Sequence, residues 1–414
     1  VHADRAGWDH GLVTRRAVSE STVRRPVSVA ATRAMLDEVG RSAGLVAVGF
    51  AGVEPFTDAR QAIESRLASG QHAGMRFTFR NPRRSTTPAE ALPGAATLVV
   101  GARAYPARIA TAETRTAAGA DGIVARYAVG DQHEHLCEAL AAMADVLRAD
   151  GFRARVLADD NALVDRAAAH RAGLGWYGKS ANLLVPGHGP WVVLGAVLTD
   201  APLAQPLPPV ADGCGPCRRC LDACPTGAIV GDGVVDARRC LSWLLQDTGV
   251  FPVEHRVALG SRLYGCDVCL EVCPPGRANE APVDEPGRRR DVVAMLGLDD
   301  EALLASAGRW YVARRDPRYL RRNLLVVLAN VGDPERPEVG EAVRRHLAHP
   351  DPLVAAHAVW AARRLGLDRL LEALTDEQRR DRSTADELAR PVERRPPPGS
   401  VPPASEIRSV DPHR

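Results

Sequence analysis

The sequence is nearly without lysine: of its 53 Lys and Arg residues, only Lys179 is a lysine. Together with abundant Ala, Gly and Pro, this bias points to GC-rich coding, so the number of Arg residues says little about function. The one ammonium retained is more informative, because a planar guanidinium does not replace it. Net charge is also scarce. The 53 basic and 51 acidic residues leave +2, which excludes a polycation that binds nucleic acid over its whole surface and leaves room only for local patches. No apolar run reaches the length of a membrane span. The opening segment VHADRAGWDHGLVTRR lacks the apolar stretch of a secretory signal. A cytoplasmic protein with no membrane contact is therefore expected. Neither a GxGxxG after a strand nor a P-loop occurs, so no nicotinamide or flavin fingerprint is visible.

What the chain does have, it concentrates. Eight of its nine cysteines fall between Cys214 and Cys273, leaving Cys137 outside. Cytoplasmic chains do not use such a set for structural disulfides, and clustering of this kind signals metal. The first run, Cys214-x2-Cys217-x2-Cys220-x3-Cys224-Pro225, has the spacing of bacterial ferredoxins, in which the fourth Cys serves the other cluster. The second run, Cys266-x2-Cys269-x3-Cys273-Pro274, has Leu263 where another Cys would stand, and Cys240 supplies the missing thiol. Two [4Fe-4S] sites follow. Cys214, Cys217, Cys220 and Cys273 hold one; Cys224, Cys240, Cys266 and Cys269 hold the other. Structural zinc uses separated Cys pairs and seldom such a run. Two adjacent cubanes pass electrons singly, so this stretch reads as a wire. Cys137 lies on the apolar face of an expected helix and reads as a small buried hydrophobe.

A chain of 414 residues with 45% apolar and 25% charged residues is an ordinary globular protein of two or three domains. Residues 1–28 read as a loose lead-in. Over 29–201, strand patterns (45–50, 96–105, 152–160 and 191–200) alternate with helical ones (30–40, 59–68, 135–150 and 163–172). That pattern predicts an α/β or α+β domain. A Pro-rich connector opens the ferredoxin-like segment, 202–285. Residues 286–375 are almost wholly helical and resemble two HEAT-type repeats, which must stack on the rest of the protein. The charged, Pro-rich stretch 376–414 reads as disordered.

The domain before the wire must hold the chemistry. Asp159, Asp160 and Asp165 end a strand beside the Gly-rich turn GLGWYGK (173–179), a place where an α/β sheet puts functional groups. A carboxyl whose pKa is raised there could donate a proton. The alternative is capping, with Asp160 or Asn161 opening a helix at 163. Arg314, Arg315, Arg318, Arg321 and Arg322, beside Tyr311 and Tyr319, suit phosphate contact and base stacking; a solvated helix face explains them equally well. His346, His349 and His357 read as packing or turn residues.

The order of motifs resembles that of the epoxyqueuosine reductases, over roughly residues 30–374. HAGMRFTFRNPRRSTTPAEALPGAATLVV (72–100) is similar to their N-terminal signature and GIVARYAVGDQHEHL (122–136) to their next segment. LADDNALVDRAAAHRAGLGWYGKSANLLVPGHGPWVVLGAVLTD (157–200) is similar to their central block, and the Cys runs and RRNLLVVLANVGD (321–333) follow in order. This resemblance implies a cobalamin-binding domain over 29–201 with no protein His below the cobalt, fed by the two clusters. It implies reduction of epoxyqueuosine to queuosine in the anticodon loop of a tRNA with a GUN anticodon, the last step in making that nucleoside. An external electron donor and a monomeric enzyme are expected with it. Asp159 matches the family's catalytic Asp, and Asp165 a position that is Asp or Glu. Arg126, Tyr127, Lys179 and Ser180 match family segments and are the expected cofactor-binding residues. The chain reads Asp131-Gln132-His133 where the family has Asp-Tyr-His, Ser180 where it has Asn, and Asp160 beside the acid. Two rivals remain: a cobalamin and iron–sulfur reductase of a small molecule, akin to reductive dehalogenases, and a non-catalytic iron–sulfur electron carrier.

Overall fold

Four β-rich segments form the central sheet: β1 (Ala47–Ala51), β2 (Thr97–Ala104), β3 (Ala154–Leu157) and β4 (Val192–Thr199). The computed structural model describes residues 28–106, 119–277 and 287–394; the expected lead-in lies outside these except for Ser28. The strand order is β1-β2-β4-β3, and every neighbouring pair is antiparallel. The domain is therefore α+β. Of the two classes the alternating pattern allowed, α/β and α+β, the antiparallel pairing selects the second; the connection from β2 to β3 keeps the strand direction and crosses over β4, which lies between them.

Side chains of β2 alternate between two cores, as the strand period requires. Leu98, Val100 and Ala102 pack with Ala167, Ala168 and Ala169 of helix α3 (Asp165–Arg171); Val99 packs with Leu136, Leu140 and Met143 of helix α2 (Gln132–Ala149). Helix α1 (Val29–Ser42) lies on the α2 side, and its first turn is capped by Ser28, which accepts the Ala31 N–H. Gly101 pairs with Gly195 across β2 and β4. A Cβ on Gly195 would meet Leu140 at 2.7 Å, and one on Gly101 would meet Leu45 at 2.8 Å. The paired glycines admit both leucines, whose burial contributes roughly 1.5–3 kcal/mol each.

The expected cut near residue 201 does not separate the cores. Strand 121–124 leaves the first segment to pair in parallel with 262–264 and antiparallel with 289–291. Ala120, Val124 and Val129 join Leu241, Leu263 and the C-terminal helices in one hydrophobic cluster. Three helices, α4 (Pro317–Val331), α5 (Pro337–Leu347) and α6 (Pro352–Leu365), dominate that cluster, and α4 is buried over most of its length. No helix among the described residues is long and apolar enough to cross a membrane.

The stretch from Asp376, expected to be disordered, is folded as far as it is described. Asp376–Arg380 is a helix opened by a capping box of Thr375 and Gln378, and helix α7 (Arg382–Ala389) packs against α6. Leu388 and Val392 touch the core, and Glu387 is buried in a two-pronged ion pair with Arg256 (2.8 and 3.0 Å). Charged composition hid this because those charges are paired inside the fold. Residues 395–414 lie outside the described residues.

Candidate functional site: thiols set against a carboxylate pair

The thiols come from short helices and tight turns. Cys220 sits on the helix Arg219–Ala223 and Cys269 on Val268–Glu271, and these two helices pack together. Cys214, Cys217, Cys220 and Cys273 line one cavity, with Lys179, Ser180 and Pro274 on its walls. Electrostatic neighbours divide the eight thiols into the same two sets as the spacing does. Burial pushes Cys273 up to about 11, and Cys214, Cys220 and Cys217 add to this. Burial likewise raises Cys240, whose thiol neighbour is Cys224, and Cys266, whose thiol neighbour is Cys240. Cys269 is raised by burial, then by Cys266, Cys240 and Cys224, with Cys220 of the other set last. Cys224 is the exception: burial pushes up, but N–H donors around Thr226, Ile229 and Ala228 outweigh it and hold the thiol low.

Such crowded thiols ionise together only around cationic charge. Among the described residues no three His, Cys, Asp or Glu side chains stand close enough to share one metal ion. The first thiol set surrounds a cavity instead, a donor set and a space that suit an iron–sulfur cluster. Cys137 lies apart on α2, half-buried, with its sulfur 3.6 Å from His133 Nδ1.

The carboxylates stand where β3 runs into α3. Asp159 is exposed and has a left-handed backbone (φ 52°). Asp160 accepts Arg155 at 3.0 Å and the Ala162 N–H at 2.8 Å. Neither Asp160 nor Asn161 caps a helix at 163. The helix begins at Asp165 without a side-chain cap, and Asn161 accepts the Thr78 N–H instead. The carboxyl pushed up is that of Asp165: burial first, then the charge of Asp159, raise it to about 8. Its Oδ1 is buried without a partner. The charge of Asp159 also acts on Cys137 and Tyr264.

Beside the second Cys run stands a group that the sequence revealed only in part. Arg126 is buried; its guanidinium lies 4.5 Å from the Trp191 ring, and Nη2 reaches Glu271 at 3.2 Å. Its Nε and Nη1 are buried with no partner, and its backbone N–H donates to Asp267 at 2.9 Å. The Tyr105 phenol is driven far above its usual range by burial and by Asp267, and it also feels Cys269 and Arg166. The Tyr127 phenol is raised by burial and by Tyr264. Tyr105 and Asp267 were not singled out, although Tyr105 ends a strand before Pro106 and Asp267 lies inside the second Cys run. Lys179 and Ser180 lie elsewhere than Arg126 and Tyr127, on the wall of the thiol cavity. Lys179 Nζ is 3.4 Å from Asp232; Asn182 donates to Ser180 at 3.2 Å and reaches Cys269 at 3.9 Å.

The basic patch contracts. Arg321 is buried against Asp300 and the carbonyls of Leu296 and Leu298; Arg322 is buried against the carbonyls of Leu244, Asp247 and Gly249. Burial pulls Arg322 down to about 10. Tyr319 is buried beneath Arg318 and Arg322, and Arg318 is paired with Asp316 and Asp351. Phosphate contact from Arg321 and Arg322 is thus excluded, because both are bound inside the fold. Tyr311, Arg314 and Arg315 remain at the surface. His346 and His357 are buried and paired to carbonyls of their own helices, as packing residues are.

Eight thiols in two groups, beside an α+β domain that carries an acid loop, define an iron–sulfur oxidoreductase. Residues 213–276 match the family described as a 4Fe-4S double cluster binding domain. Epoxyqueuosine reductase of Bacillus subtilis (strain 168) is 32% identical over 362 residues, covering 83% of this chain and 92% of that protein. An epoxyqueuosine reductase crystallised with an epoxyqueuosine-modified tRNA-Tyr stem loop superposes with a TM-score of 0.77 at 29% identity, covering 87% of this chain and 98% of that one. A Bacillus subtilis structure, in which the loop of a catalytic Asp is swung out of the active site, gives 0.76 at 29% identity over the same shares. The chain belongs to the epoxyqueuosine reductase family.

Proposed function

We propose that this chain reduces epoxyqueuosine to queuosine in the anticodon loop of a tRNA with a GUN anticodon. The reaction removes one oxygen atom: two electrons and two protons enter, the epoxide C–O bonds break, a carbon–carbon double bond forms, and water leaves. Electrons enter singly from an external donor. The cluster of Cys214, Cys217, Cys220 and Cys273 is the outer station; that of Cys224, Cys240, Cys266 and Cys269 is the inner one, beside Asp267 and Tyr105.

Cobalamin is the group proposed between the inner thiols and the acid loop. The unpartnered Arg126 Nε and Nη1 and Asp165 Oδ1 suit a large polar ligand there. Arg126 and Tyr127 would hold it, while Lys179 and Ser180 serve the outer cluster. When bound, cobalamin supplies a strongly reducing cobalt centre. The protein's own work is to position the nucleoside, exclude water and deliver protons. Asp159, exposed on its loop, is the proton donor. Helices α4–α6 form the HEAT-like repeats that grip the anticodon stem-loop, with Tyr311 and Arg314 at the surface. The enzyme is read as a cytoplasmic monomer.

The observation that carries this reading is the bond from the Arg126 backbone N–H to Asp267, inside the second Cys run, beside a guanidinium whose Nε and Nη1 are buried without partners. Anaerobic purification, cobalamin reconstitution and turnover of epoxyqueuosine-containing tRNA, with nucleosides read by mass spectrometry, test it. Queuosine is expected from the unaltered chain and is lost in Asp159→Asn. Bound cobalamin and intact clusters without queuosine would move the reading to a small-molecule reductase.

A further inference from the structure

Lys179, the only lysine, lies on the wall of the cavity formed by Cys214, Cys217, Cys220 and Cys273. Backbone bonds hold it there. The Lys179 carbonyl accepts the Gly233 N–H at 3.0 Å, and the Gly233 carbonyl accepts Arg66 Nη2 at 2.9 Å. Its ammonium stands 3.4 Å from Asp232, in the turn joining strands Ile229–Gly231 and Val234–Val235. The two ends of this pair differ: the Lys179 side chain is 18% exposed and that of Asp232 is 61% exposed. Water screens the carboxylate more than the ammonium, so the positive end of the pair is the better sheltered of the two. Arg219, also on the wall, is exposed and its charge is spread into solvent.

We propose that Lys179, oriented by Asp232, is a positioning residue that sets the reduction potential of the cluster held by Cys214, Cys217, Cys220 and Cys273. The inference rests on the two-cluster reading above. Reduction adds one electron, and so one negative charge, to the cluster and its thiolates; no bond forms or breaks. A sheltered cation beside it stabilises the reduced form and raises the potential. A guanidinium is bulkier and spreads its charge over a planar fork. In a chain that uses Arg at its other 52 basic positions, the compact head at this wall fits a tight electrostatic role.

The test is a redox titration of the full chain, reconstituted anaerobically with iron and sulfide and followed by electron paramagnetic resonance. Lys179→Met is expected to lower one of the two midpoint potentials and leave the other in place. Lys179→Arg lowers the same midpoint less, and Asp232→Asn raises it. Unmoved midpoints in Lys179→Met at full iron content would overturn the inference, as would a downward shift in Asp232→Asn. If Lys179→Met does not retain its clusters, the sign in Asp232→Asn decides. An unaltered chain that takes up no [4Fe-4S] cluster would sink the two-cluster reading itself, and this inference with it.

Discussion

Asp165 has one carboxyl oxygen, Oδ1, buried without a partner, and the charge of Asp159 acts on it. Burial and that charge place its folded pKa at about 8, whereas an unfolded Asp titrates near about 4. Between those values the folded chain binds a proton that the unfolded chain releases. Stability from this group is therefore full below about pH 4 and is lost as pH rises towards 8, by about 1.4 kcal/mol per unit in that window. Asp165→Asn removes the ionisation. Its stability advantage over the unaltered chain should grow from pH 5 to pH 8 in denaturant unfolding, and an infrared band of a protonated carboxyl at pH 7 should vanish. A difference in stability that does not change with pH would contradict the buried acid.

Asp159 combines a chemical role with a backbone demand. Its φ of 52° lies in the region that Asn tolerates and branched residues do not. Asp159→Asn should keep the turn, the clusters and the melting temperature while lowering turnover by roughly 10²–10⁴-fold, the range for loss of a general acid. Asp159→Val should lose turnover and also about 1–2 kcal/mol of stability. Equal melting temperatures for Asn and Val would show that the strained turn is not held in solution.

The C-terminal helices are fastened by Arg256 and Glu387, whose side chains are 0% and 4% exposed. Breaking a buried pair leaves one charge alone inside, at about 3–5 kcal/mol. Glu387→Ala should lower the thermal midpoint strongly, whereas Arg256→Met with Glu387→Leu should recover most of the loss. If the single and double variants melt alike, the pair is not desolvated as the structure has it.

How much of this was legible in the sequence depends on which interactions are local. The grouping of Cys214, Cys217 and Cys220 was legible because three-residue steps bring thiols round one centre, and with Cys273 they line one cavity. Strands 97–104 and 192–199 were readable as β-branched runs, but their antiparallel pairing was not, since alternation with helices does not encode the direction of return. Asp165 read as a position that is Asp or Glu, because the burial of its Oδ1 is set by tertiary packing that local sequence does not show. Arg256–Glu387 spans 131 positions and leaves no trace in composition, so a folded segment read as disordered. Arg321 and Arg322 show the same blindness: two Arg on a helix resemble a phosphate clamp until the carbonyls that hold them are seen.

That distinction yields a prediction about nucleic acid. Tyr311 is 57% exposed, Arg314 is exposed with a left-handed backbone (φ 56°), and the Tyr311 N–H is anchored at 2.8 Å by the Tyr264 hydroxyl, a group within the field of Asp159. This lip is at the surface, whereas Arg322 is tied to three carbonyls in the core. Arg314→Gln should weaken binding of a tRNA anticodon stem-loop and reduce the slope of log K against log salt by roughly 0.7–0.9 per lost contact, without a change in thermal midpoint. Tyr311→Ala should weaken binding by about 1–3 kcal/mol through lost stacking, at an unchanged salt slope. Arg322→Gln should do the reverse: a lower thermal midpoint, since buried carbonyls lose their donor, and an unchanged salt slope in the protein that remains folded. Fluorescence anisotropy of a labelled stem-loop across salt concentrations, beside thermal melts of each variant, separates the two classes. A salt slope reduced by Arg322→Gln rather than by Arg314→Gln would put the phosphate contact on the helix and not on the lip.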